Sequence, residues 1–245
     1  METIDTRAFA GAIASGVVMN SPALAGQRFE ERKKMAVYTI YDDESADEAS
    51  GNYGFVNEAI EGDILAVFPI GIVFDPGVKA ALMDDGMIVQ QNSGYQGLPM
   101  HMENMAKRVR WGGSKRDLGD FQSYGNHFLV SGKMRDVIEQ LEPGVHQFQP
   151  VELTWMEDDS HAADFFWFNP CNRVDGMDRD HTTHDFNEKT GMWKYVDGKK
   201  YVVSLVQTTG KHAWVDCRIF DHAVFVSEDL KKAMDAVGIK GVAFG

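Results

Sequence analysis

The C-terminal half of this chain writes the same short grammar twice. Phe128-Leu129-Val130 reads as a strand and Ser131 as a helix cap. Met134, Val137, Ile138 and Leu141 then recur on one helical face until Pro143-Gly144 stops it, and a strand over 145–153 follows. At an offset of 227 − 131 = 96 residues, Val224-Phe225-Val226 precede a second capping serine, Ser227. Leu230, Ala233, Met234 and Val237 share a face, Gly238 ends the helix, and Val242-Ala243-Phe244 reads as a strand. A helix with one apolar face between two strands needs a sheet to cover it. The expected fold is therefore α+β, with a mixed or mainly antiparallel sheet, a few helices and two strand-helix-strand units in the C-terminal half.

Strand signals also outnumber helix signals elsewhere. Ala36 to Tyr41 reads as a first strand, Phe165-Phe166-Trp167-Phe168 is strongly β-prone, and 213–219 is a further strand candidate. Tyr195-Val196 and 201–206 flank Asp197-Gly198, a hairpin turn signal. The apolar run from Ile64 to Phe74 contains Pro69 and Gly71, too broken for a helix, and reads as a buried strand with a kink. With 245 residues, 44% hydrophobic content and only 7 prolines, the chain has the material for a packed core and not the composition of a disordered polymer. No apolar run approaches the roughly 18 residues of a membrane helix.

Charge is distributed unevenly. Of a net −13, the 12 acids and one base between Ala36 and Ala106 account for 1 − 12 = −11, and Lys107 to Arg116 then carries five bases and no acid. This sign change suggests an N-terminal extension over 1–35, an acidic region over 36–110 and an α+β domain over 111–245. An acidic chain repels phosphate backbones, so no nucleic acid is expected as partner, and a basic protein is. The basic run around Trp111 is expected to form internal ion pairs or a local positive rim. At the N-terminus, Ala8 to Met19 is mildly apolar and Ala23-Leu24-Ala25 imitates a cleavage site, but Glu2 and Asp5 oppose the positive start of a secretory signal. A cytoplasmic location is expected, and a periplasmic one if residues 1–25 act as a signal.

The densest group of metal-ligand residue types is the stretch holding Asp175, Asp178, Asp180, His181, His184 and Asp185. Asp178, Asp180, His181 and His184 together suggest a metal-dependent hydrolase, with the metal activating water. The spacing is not the helical His-Glu-x-x-His pattern, and a polar turn tying down neighbouring strands is the competing expectation. Cys171 and Cys217 have no recognisable activating neighbour and are expected to be reduced and buried. Glycine-rich nucleotide loops and the Gly-x-Ser-x-Gly elbow are missing, so no cofactor is expected. Trp155 beside Glu157-Asp158-Asp159 joins an aromatic anchor to negative charge, a useful pairing in an interface, although a tryptophan at a strand end is commonly core.

A series of small motifs from Trp111 to Phe244 resembles a bacterial immunity-protein family with a myxobacterial founding member, found beside polymorphic toxins delivered by contact or as type VI effectors. These are Phe128-Leu-Val-Ser, Glu142-Pro-Gly-Val-His-Gln-Phe148-Gln-Pro150-Val, Phe166-Trp-Phe-Asn169-Pro, Val174-Asp-Gly-Met-Asp178, Val226-Ser-Glu-Asp-Leu and Gly238-Ile-Lys-Gly241-Val-Ala-Phe244. The acidic region shows no such match. The resemblance implies a non-enzymatic protein that binds a cognate toxin, with Asp178 a landmark rather than an enzyme residue. On that reading, Asp42, Asp43, Glu44, Asp47 and Glu48 are the candidates for steering a basic toxin. Trp155, Glu157, Asp158 and Asp159 form a second patch. The metal-dependent hydrolase is the alternative, and an adaptor without a toxin partner the third reading.

Overall fold

The computed structural model describes residues 36–42, 56–84, 86–91, 94, 96–112, 118–124, 127–219 and 223–245. Every described element lies within the unit 35–245. Its strands in chain order are β1 Val37–Asp42, β2 Val56–Ile60, β3 Ala80–Leu82, β4 Ile88–Gln90, β5 Arg108–Trp111, β6 Phe121–Tyr124, β7 His127–Ser131 and β8 Gln147–Trp155. They continue with β9 His161–Asn169, β10 Arg173–Val174, β11 Asp185–Asn187, β12 Met192–Lys194, β13 Ala213–Asp216, β14 Val224–Ser227 and β15 Val242–Phe244. The α-helices are α1 Gly132–Leu141 and α2 Glu228–Val237. This is an α+β fold dominated by sheet.

Two sheets make up most of the unit. One runs β2-β5-β8-β9-β7-β6 and the other β10-β13-β14-β1-β15. Both are mixed, because β5–β8 and β10–β13 are parallel while every other pairing in them is antiparallel. The pairs β3–β4 and β11–β12 form separate two-stranded ribbons. Strand β5 lies between β2 and β8, so the six-stranded sheet continues across the change of charge sign at 107–116.

Both helices start where a serine hydroxyl accepts an otherwise unpaired amide. Ser131 takes Met134 N–H at 3.2 Å and Ser227 takes Leu230 N–H at 3.1 Å. Met134, Val137 and Ile138 of α1 and Leu230 and Met234 of α2 then enter one core shared by the two sheets. Phe121, Phe128, Val130 and Phe168 reach it from the six-stranded sheet, and Ile40, Ala213, Val215, Val224 and Val226 from the other. The far face of the six-stranded sheet buries Val109, Trp111, Leu129, Leu153, Phe165 and Trp167 against Val67, Met100, Met102 and Met105. The poor alternation in β9 follows from this layering. Phe165 and Trp167 serve one core while Phe168, with Phe166 packed beside it, serves the other, so every position meets apolar neighbours. Two turns meet at Gly119 and Gly241, where a Cβ on either would stand 2.9 Å from the other's Cα.

Two expected elements do not form. The Ile64–Phe74 run is not a buried strand. Ile64–Ala66 is a 3-10 turn, Val67 is buried, and Pro69 makes an isolated bridge to Met100 before Gly71 (φ 78°) turns the chain outward. Pro69 has no amide to continue a ladder, and beyond it Ile70 and Val73 stand in solvent. At 195–206 the Asp197-Gly198 turn is made, with Gly198 at φ 72°, but it joins no strands. The backbone of Lys200 and Val202 pairs instead with the 178–183 turn, through Thr183 N–H to Lys200 O at 3.0 Å and Asp178 N–H to Val202 O at 2.7 Å.

Candidate functional site

The side chains with the richest chemistry converge indoors, around Glu142. This residue follows α1 and is 5% exposed. Its Oε2 accepts His146 Nε2–H at 2.8 Å and Ala213 N–H at 2.8 Å, and its Oε1 accepts Asn172 Nδ2–H at 2.8 Å. Cys171 N–H donates to His146 Nδ1 at 3.0 Å, which fixes the imidazole proton on Nε2. Burial acts to raise the Glu142 pKa, but the hydrogen bonds from His146 and from the backbone of His212 and Ala213 outweigh it and hold the carboxyl below its usual range. Next to it, Gln147 grips the backbone of Met100 from both sides, at 2.7 and 2.9 Å, and Asn169 ties Gln147 to Leu98 O. The Glu142-to-Pro150 and Phe166-to-Pro170 motifs thus form a polar seam joining β8 and β9 to β13 and to the 98–100 segment.

Among the described residues no group of three or more His, Cys, Asp or Glu side chains is placed to hold a metal. Asp178 caps its own turn, accepting Asp180 N–H at 2.9 Å and His181 N–H at 3.1 Å, and its other oxygen lies 3.0 Å from His181 Nδ1. Chiefly through the His181 contact, its carboxyl is held below the usual range. His181 and Asp180 are exposed, whereas His184 is 5% exposed and turned away. Its ring lies 4.1 Å from that of Tyr201 and its Nδ1 accepts Val196 N–H at 3.0 Å. Density along the chain does not become convergence in space: Asp178 caps the turn, while His184 packs on Tyr201 and holds the Val196 amide. The cysteines are free thiols, and burial pushes both Cys171 and Cys217 up to about 11, so neither is a thiolate near neutrality.

The acidic candidates are placed in three ways. Asp42, at the end of β1, accepts Ser123 N–H at 3.0 Å and the Ser123 hydroxyl, which ties β1 to β6. Asp43, Glu44, Asp47 and Glu48 lie outside the described residues. Glu157, Asp158 and Asp159 are exposed in the turn after β8. Asp158 caps that turn through Ser160, and Asp159 holds Arg110 at 2.6 and 3.0 Å, a contact that lowers the Asp159 pKa. Arg108 also reaches Glu61 at 3.2 Å, so both arginines of β5 are ion-paired within the fold, as expected of the basic run. Trp155 lies in the core. At 7% exposed it packs with Trp111 and Leu153 in the core, leaving Met156, 47% exposed, as the apolar side chain beside the acidic turn.

One surface escapes the sequence reading. Of 12 large apolar residues standing exposed among the described residues, six fall between 65 and 88: Leu65, Ile70, Val73, Val78, Leu82 and Ile88. The available signal is an apolar composition without helical or strand periodicity, set among acids.

The model of the Immunity protein family (Imm11) matches residues 71–245, well over half of the chain, which belongs to that family. None of the curated proteins matches it. The family match begins 111 − 71 = 40 residues before the expected start, so residues 71–110 of the acidic region belong to the family and the expected absence of a match over them is overturned.

Proposed function

We propose that this protein neutralises a cognate toxin by binding it in fixed ratio and covering its active site, without making or breaking bonds itself. Membership of an immunity family over residues 71–245 carries this reading. The charge supports its electrostatic part, since −11 of the net −13 falls between Ala36 and Ala106. A concentrated negative surface speeds capture of a basic partner toward about 10⁸ to 10⁹ per molar per second at low salt. Asp43, Glu44, Asp47 and Glu48 are the steering acids in this account, with Asp42 at their edge and Glu157, Asp158 and Asp159 as a second patch. The complex forms in the cytoplasm, against a toxin delivered by contact or as a type VI effector.

Co-expression with the toxin encoded beside this chain tests the reading. Growth is rescued and the two proteins co-purify in constant ratio. Rescue without a complex, or no rescue, overturns it. Changing Asp43, Glu44, Asp47 and Glu48 to lysine lowers the association rate at least about tenfold at low salt and flattens its salt dependence. An unchanged rate and salt slope overturns the steering assignment.

A further inference from the structure

We infer that the outward face of the β3–β4 ribbon is the apolar anchor that docks into the toxin, an inference resting on the toxin-binding reading above. Ala81 and Val89, paired across the ribbon, face inward, and Val89 is wholly buried. The adjacent pair, Leu82 and Ile88, points the other way, at 74% and 63% exposed. A ribbon with one covered and one open face ordinarily carries polar residues on the open one. This one carries a leucine opposite an isoleucine, and the loop leading into it adds Val73 at 88% and Val78 at 48% exposed.

The ribbon is held in place, although two strands alone are marginal in water. The buried Gln96 side chain clasps Gln90 at both backbone groups, accepting its N–H at 2.7 Å and donating to its carbonyl at 2.7 Å. Gln96 O accepts Arg173 Nη1–H at 2.8 Å, and Gly97 (φ 69°) lies so close that a Cβ there would stand 2.6 Å from Arg173 Cα. Met87 is buried with its sulfur 3.1 Å from Arg218 Nη1. An anchor already fixed in its bound shape loses little entropy on docking.

Charge selects the occupant. Between residues 61 and 90 there are five acids, Glu61, Asp63, Asp75, Asp84 and Asp85, and one base, Lys79. Exposed apolar anchors beside the exposed acids Asp75 and Asp84 of the same segment fit a partner with an apolar recess inside a basic surface, and the like charge repels a second copy of this chain. That complementarity commits the face to the toxin. Long-range acids set the association rate and the ribbon sets the lifetime of the complex.

Binding of the catalytically inactivated toxin encoded beside this chain, followed by biolayer interferometry, tests this with a Leu82→Ser, Ile88→Ser double variant. The expected result is a dissociation rate about 100-fold faster and an association rate within about threefold of the parent, because desolvated anchors act mainly on dissociation. Hydrogen exchange on the unmodified protein adds a measurement independent of any variant, and amides over 79–91 gain protection in the complex. If the parent binds and the variant dissociates within about threefold of it, or 79–91 gains no protection, this inference falls while the toxin-binding reading stands. If the variant instead breaks a self-associated dimer and leaves toxin binding untouched, the face belongs to a second copy and the inference falls. If the parent does not bind the toxin at all, both fall together.

Discussion

Two regions of this molecule put apolar and acidic residues to opposite use. Around Glu142 a carboxylate is drawn indoors, and every hydrogen bond described for it goes to the fold: His146, Asn172 and the Ala213 amide. Over 61–90 the described acids stay outside while leucine, isoleucine and valine are exposed beside them. The first pattern is how a fold is fixed, because a buried carboxylate is tolerable only when its acceptor sites are filled. The second adds nothing to folding that solvent would not oppose, and on the inference drawn above it serves a partner. The sequence motifs around Glu142 therefore serve the scaffold.

The sharpest way to break this contrast is Glu142→Ala. It leaves the buried His146 Nε2–H and Ala213 N–H without an acceptor and Asn172 Nδ2 with only the Ala213 carbonyl, and should lower stability by about 3 to 5 kcal/mol, read by urea denaturation, while the folded fraction keeps its toxin affinity. A loss of affinity without loss of stability would move Glu142 from scaffold to interface.

Buried carboxylates also separate by pH. Burial pushes Asp216 up to about 6, against the pull of hydrogen bonds from the Arg218 and Gly176 amides. The folded state then holds that proton more tightly than the unfolded chain, so its contribution is full below about pH 4 and is lost as pH rises through about 6, on the order of 3 kcal/mol. Asp216→Asn should flatten this fall in chemical-denaturation midpoints across that window. Glu142, held low, has the opposite sign: its stabilisation is present above the ordinary carboxyl range and disappears as acid carries the pH below it. A pH profile of stability unchanged by both substitutions would contradict the two assignments.

Smaller effects belong to the surface. Asp178→Ala removes a turn cap and should cost about 1 kcal/mol, a fall in Tm of about 2 to 4 °C, with no change in metal content. Leu82→Ser with Ile88→Ser should change stability by less than about 0.5 kcal/mol, since both side chains are already in solvent. A large destabilisation there would show that the ribbon face is part of the fold after all.

Legibility in the sequence divides along the same line. Both helices are legible because a serine cap, a 3.6-residue period and a terminating glycine or proline are local signals. The sheet partners are not, since pairing β1 with β14 and β15 joins residues 184 to 204 positions apart. An apolar run such as Ile64–Phe74 says that burial is favoured, not that it occurs, and here Pro69 and Gly71 divide the run between core and solvent. Sequence proximity likewise overstates the Asp178–His184 cluster, where His184 is committed to tyrosine rings and His181 to solvent. Trp155 stands out in the sequence for its acidic neighbours, but strand alternation carries it into the core.

The central claim is that this protein acts by occupying its toxin rather than by transforming anything. Titrating the purified protein into a fixed amount of active toxin measures this directly. Toxin activity should fall linearly and vanish at a constant molar equivalence that does not change with incubation time. Inhibition that deepens with time at far less than equivalent amounts would mean turnover, and would contradict it.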